Sequence, residues 1–172
     1  YSLLVILLVI HELGHLSVAR LLHVKLRKIV LYPFGAQLTF MPAKVFSMLC
    51  VTSGGPIATL LLLLLCLQYN WQHLLQFQLL LLIFNGLPIW PLDGGKILFY
   101  SLKLLHPKIL YEQYITFSFI LAITLCVTTL IVQAPLFFLL SSFVLLLESY
   151  QSFRARKYVQ ALDSVFIYRK PS

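Results

Sequence analysis

The stretch His11-Glu12-Leu13-Gly14-His15 combines residue types and a spacing that can do chemistry. Histidines at i and i+4 sit one helical turn apart on one face, with Cβ atoms about 6 Å apart, so both imidazoles can reach one tetrahedral metal. Glu12, one residue round the helix, is placed to take a proton from a water at that metal and not to bind the metal itself. That is hydrolytic zinc chemistry. In a soluble helix the pattern is accidental about half the time, because it fixes only three positions. The setting decides otherwise. Residues 3–10 and 16–22 make a mainly apolar carrier helix, and an ionisable side chain inside a spanning helix costs roughly 2.5–3.5 kcal/mol. His11, Glu12 and His15 together need a compensating partner, and a metal ion is the simplest one.

The composition says what kind of elements must position these residues. A chain of 172 residues with 60% hydrophobic and 10% charged content and a mean hydropathy of +0.94 is too apolar for a soluble domain. An all-α polytopic membrane protein is expected. Thirteen Lys and Arg against five Asp and Glu give a net charge of +8, which in a soluble chain would suggest nucleic acid. Cys50, Cys66 and Cys126 are dispersed in apolar runs without a C-x-x-C pair and read as buried small hydrophobes. The chain starts at Tyr1, so a translation start upstream is expected.

Five apolar segments follow in order. The first, residues 3–22, ends in Arg20, His23, Lys25, Arg27 and Lys28, a cluster of the kind retained in the cytoplasm. Residues 29–41 are too short to cross; alternating β-branched and aromatic residues around Pro33 and Gly35 suggest a hairpin dipping into the membrane. The second segment, residues 44–67, carries Ser53-Gly54-Gly55-Pro56 and reads as a closely packed, kinked helix. Residues 68–78 are polar and read as an outer loop. The third segment, residues 79–100, holds Asn85-Gly86-Leu87-Pro88-Ile89-Trp90-Pro91-Leu92-Asp93-Gly94-Gly95. No regular helix survives those prolines and glycines, and unwound backbone at membrane depth must be buried in protein or line a polar cavity. Residues 109–132 and 135–147 complete the spans, with residues 1–150 as one membrane domain and residues 151–172 as a basic cytoplasmic tail, amphipathic or disordered and too short for a folded regulatory domain. This threading puts every Lys and Arg on one side, so the positive-inside rule accounts for the charge and no nucleic-acid partner is needed.

Depth supplies the third ligand. His11 and His15 lie seven to eleven residues before the inner end of their segment, roughly 10–16 Å deep at the helical rise, and Asp93 lies at roughly 10 Å on the same count. His11, His15 and Asp93 would leave one coordination position open for water, as a catalytic zinc requires. The plainer reading, Asp93 as N-cap of a helix restarting at Gly94, is compatible with it. His23, His73 and His106 fall at segment ends, Glu112 lies beside Lys108, and Glu148 lies near Arg154 and Arg156; none is assigned chemistry.

These residues resemble the site-2 protease family of intramembrane zinc metalloproteases. His11-Glu12-Leu13-Gly14-His15 is similar to its H-E-x-x-H helix, and Asn85-Gly86-Leu87-Pro88 through Asp93-Gly94 to its N-x-x-P-x(4)-D-G motif. Leu31-Tyr32-Pro33-Phe34-Gly35 and the run from Leu87 to Lys96 resemble the family's sporulation branch in endospore formers. The resemblance covers residues 1–150 and implies one zinc per chain and a hairpin that admits substrate. It also implies a membrane-associated protein substrate, in that branch a sigma-factor precursor, an inhibitory membrane protein as partner, and a bacterial membrane, in that branch the one surrounding the forespore. Within that chemistry Asn85 is placed to hydrogen-bond the substrate or the oxyanion. Gly86 and Thr59 depart from the family's pattern and are expected not to touch the ligands. Two other classes compete. A metal transporter would show an internal repeat and hold its ion less firmly, and an inactive metal-binding scaffold leaves Glu12 unexplained.

Overall fold

In the computed structural model, which describes residues 2–32, 35–69, 71–107 and 109–168, the histidine motif sits on α1, Ser2–Leu21. Leu7, His11, His15 and Ala19, spaced by four, are its buried positions, while Val5, Ile6, Val9 and Leu13 are exposed. A face of exposed aliphatics opposite a buried face with two histidines is the inverse of a soluble amphipathic helix, and it suits lipid.

After α1 the chain makes β1, Leu26–Tyr32, and β2, Gly35–Phe40. They pair antiparallel from Tyr32↔Gly35 to Lys28↔Thr39, with an irregularity between Leu26 and Lys28. The strand pair expected over residues 29–41 is present and begins three residues earlier, because the irregularity lets the Met41 N–H reach the Lys25 carbonyl at 2.8 Å. Pro33 and Phe34, the expected turn, lie outside the described residues.

Four further helices are α2, Val45–Gln68, α3, Gln72–Asn85, α4, Asp93–Leu105, and α5, Tyr111–Ile131; α6 is Leu136–Tyr168. Among the described residues, α2 and α5 are long and apolar enough to cross a membrane. Both turn aliphatics outward, Leu60, Leu61 and Leu64 on α2 and Ile120, Ile123 and Val127 on α5. One sequence reading needs correction. The polar stretch 68–78 is not a loop throughout, since α2 ends at Gln68 and α3 starts at Gln72; Gln and His are tolerable helix formers, and polarity by itself does not break a helix. The tail, left open between amphipathic and disordered, is helical as far as Tyr168. With neither Gly nor Pro from Leu136 to Lys170, α6 runs without interruption across residue 150 to Tyr168.

The packing divides into two parts joined by the unwound segment 86–92. In the first, α1 and α2 touch backbone to backbone: a Cβ on Gly54 would lie 2.6 Å from the Gly14 carbonyl oxygen, and one on Gly14 would lie 2.7 Å from the Ala58 Cβ. Only small residues permit that approach. In the second, α5 and α6 enclose Ile89 with Ala122 and Leu145, while Phe99 packs with Tyr114 and Ile115.

Candidate metal centre

Three side chains from two distant parts of the sequence converge. His11 Nε2 and His15 Nε2 lie 2.8 and 3.0 Å from Asp93 Oδ2 and 3.3 Å from each other. All three residues are buried. What makes them meet is local on each side. On α1 the i, i+4 spacing stacks the imidazoles over α2. On the other side, Gly94 and Gly95 let the start of α4 lie directly on the unwound chain; a Cβ on Gly95 would fall 2.5 Å from the Ile89 carbonyl.

The hydrogen bonds on the outer ring nitrogens determine what the inner ones can do. His15 Nδ1 is 2.8 Å from the Val51 carbonyl oxygen, which can only accept, so Nδ1 carries the proton. His11 Nδ1 is 2.8 Å from Thr59 Oγ1, and that hydroxyl donates onward to the Gly55 carbonyl at 3.1 Å. His11 Nδ1 is therefore also the donor. With each Nδ1–H so engaged, both neutral imidazoles can turn an Nε2 lone pair toward the carboxylate, which is the donor set a metal cation requires. Two imidazoles and a carboxylate suit zinc, and three protein donors leave a further position for water or substrate. The glycine at 55 makes the space, because a Cβ there would collide with His15 Nε2 and lie 2.7 Å from His11 Nε2.

The remaining sequence-predicted residues surround this group. Glu12 is half-buried and close enough to His15, His11, Asp93 and Lys96 to feel their charges. Asn85 ends α3 and borders a cavity of ≈ 470 Å³ whose wall includes Pro56, Leu82, Pro88, Gly94 and Ser101. Asp93 does not cap α4: the capping position is Leu92, without a side-chain cap bond, while Asp93 Oδ2 faces the imidazoles. Thr59, expected to leave the histidines untouched, bonds His11 directly. Sequence reading also missed the Val51 carbonyl, the role of Gly55, and Lys96, whose Nζ is 3.8 Å from Asp93 Oδ1. The one available signal was that Thr59 follows Gly55 by a helical turn on the small-residue face. Arg156 goes to Glu112, Nε to Oε1 3.3 Å, and not to Glu148, which lies in the field of Lys96. His23 and His106 are exposed, and the side chain of His73 is outside the described residues.

Known proteins are similar to this chain in sequence and in fold. The model of peptidase family M50 matches residues 1–72, which include α1 and α2. The chain is 33% identical over 110 residues to stage IV sporulation protein FB of Bacillus subtilis, covering 56% of this chain and 38% of that protein. It is 34% identical over 112 residues to a zinc metalloprotease of Methanocaldococcus jannaschii, covering 57% of this chain and 32% of that one. The chain thus spans about a third of the length of these curated relatives. Its fold superposes on the solved site-2 protease from Methanocaldococcus jannaschii with a TM-score of 0.70 and 26% identity, covering 88% of this chain and 76% of that one. In sequence and in fold alike the chain is similar to the site-2 proteases and to peptidase family M50.

Proposed function

We propose that this chain hydrolyses a peptide bond of a membrane-associated protein at a zinc centre within the bilayer. The observation that carries the reading is the convergence of His11 Nε2 and His15 Nε2 on the buried Asp93 carboxylate, with the two Nδ1 atoms held by Thr59 and by the Val51 carbonyl. His11, His15 and Asp93 would hold the ion, which when bound supplies Lewis acidity toward the scissile carbonyl and toward water. Glu12 accepts a proton from the attacking water at its carboxylate and delivers it to the departing amine nitrogen. Asn85 donates from its carboxamide to the substrate backbone, and the cavity beside it receives a neighbouring apolar side chain. A transporter or inactive scaffold has no use for Glu12. Five spans, with the basic clusters and the helical tail at the cytoplasmic side, open the site toward that side. The finer reading, from the likeness to the sporulation branch, is a sigma-factor precursor as substrate and an inhibitory membrane protein as regulator. Co-expression with membrane-associated precursors, wild type against Glu12→Gln and read by blot, tests the reading; no difference between the two would refute it.

Two further outcomes follow. Thr59→Val keeps the shape and removes the acceptor for His11 Nδ1–H, so zinc affinity should drop about tenfold by chelator competition, as is usual when a support of a ligand is lost. Thr59→Ser should stay near wild type. The second concerns substrate access. A protease needs its substrate extended, and an exposed strand edge is the economical template. Of the two strands, β2 is the one packed on α1. The Met41 N–H points to β1, so by alternation the Leu38 N–H points to the free edge and the Thr39 N–H to β1. Leu38→Pro should slow cleavage well beyond Leu38→Ala at unchanged zinc content, and equal rates for the two would exclude strand addition at this edge.

A further inference from the structure

Asp93 opens α4 directly after a stretch of chain that no helix or strand holds, yet it must keep one carboxylate oxygen fixed between two imidazoles. From residues 86 to 92 the backbone is non-helical, with a cis peptide at Trp90–Pro91. Helical hydrogen bonds resume with the Lys96 N–H to the Leu92 carbonyl. Inside a bilayer every polar group of such a segment needs a protein partner. Two partners come from one face of α5. The Trp90 N–H donates to Ser118 Oγ at 2.6 Å, and the Tyr114 hydroxyl donates to the Gly95 carbonyl at 2.6 Å. Both side chains are buried, Ser118 at 0% and Tyr114 at 4% exposure. They stand one helical turn apart, and their two attachment points lie three residues before and two residues after Asp93. Ala122, one turn further along the same face, packs on Ile89. Neither hydroxyl touches the metal group.

We propose that Tyr114 and Ser118 are positioning residues for Asp93: α5 grips the chain on both sides of the carboxylate and sets its reach to the histidines. This rests on Asp93 as a zinc ligand. The mechanism is geometric. Removing either hydroxyl releases one end of the segment, and the carboxylate then samples positions in which Oδ2 no longer meets both Nε2 atoms. Loss of a group that orients a ligand typically lowers metal affinity about 10–100-fold.

The test is zinc affinity by chelator competition, with the visible spectrum of the cobalt-substituted protein, on the purified full chain in lipid nanodiscs. Tyr114→Phe, which keeps the ring, and Ser118→Ala should each bind zinc about tenfold more weakly and give a weaker, broadened cobalt band. Ile115→Val, equally buried on the same helix, should lower thermal stability and leave both readouts within about twofold, well below the range for a lost orienting group. In an Asp93→Ala background Tyr114→Phe should change zinc affinity no further. Wild-type affinity and spectrum in Tyr114→Phe and Ser118→Ala, with Asp93→Ala impaired, would overturn the inference, as would equal weakening in Ile115→Val. Unchanged zinc binding in Asp93→Ala would instead remove the ligand assignment on which the inference stands. Should Ser118→Ala fail to accumulate, the Tyr114→Phe result decides alone.

Discussion

Glu12→Gln is expected to lose cleavage by a factor of about 10²–10⁴, the range for a positioned general base, while zinc content and thermal stability stay at wild-type values. Glu12 is one residue round α1 from His11 and half-buried beside the metal group. Among the described residues the other carboxylate in the group, Asp93, is already engaged with both histidines. Glutamine preserves size and hydrogen-bonding reach and cannot take a proton. Because the variant leaves the donors untouched, metal analysis separates this effect from ligand loss. Cleavage near the wild-type rate would mean that the proton goes to a different group.

Gly55→Ala should be nearly as damaging through a different cause. The added methyl would stand against His15 Nε2 and 2.7 Å from His11 Nε2, the two ring nitrogens that would hold the ion. Zinc affinity should fall by on the order of 100-fold, the upper end for a displaced ligand set, with little change in stability. Gly54→Ala provides the contrast. Its methyl would meet the Gly14 carbonyl oxygen at 2.6 Å and Val18 Cγ2 at 3.0 Å, so it pushes the two helices apart and should cost about 1–3 kcal/mol of stability, as overpacking does. The pair is read by zinc titration and thermal unfolding side by side. If Gly55→Ala bound zinc normally, the helices would have to rotate to admit the methyl, and the tight α1–α2 contact would not be what shapes the site.

The sequence alone pointed to the proposed chemistry and to its apolar setting. A His-Glu-His turn on an apolar helix is legible because helical periodicity is local and charge in lipid is costly. The break after Asn85 is legible because Pro88, Pro91 and the glycines cannot be helical, and Asp93 emerged as third donor from a count of depth. Tertiary structure alone decided how those groups are held. His11 meets Thr59 across 48 residues and His15 meets Val51 across 36, while Trp90 meets Ser118 across 28. Such pairs leave no periodic trace, since any small or hydroxylated residue on a buried face looks the same until the helix opposite is in place. Of the two alternatives left open for the tail, amphipathic or disordered, its helical course to Tyr168 was likewise decided by tertiary structure. Absence of apolar periodicity removes the signal for a helix, but α6 persists where no residue breaks it and where Arg156 packs over Phe153 and reaches Glu112 on α5.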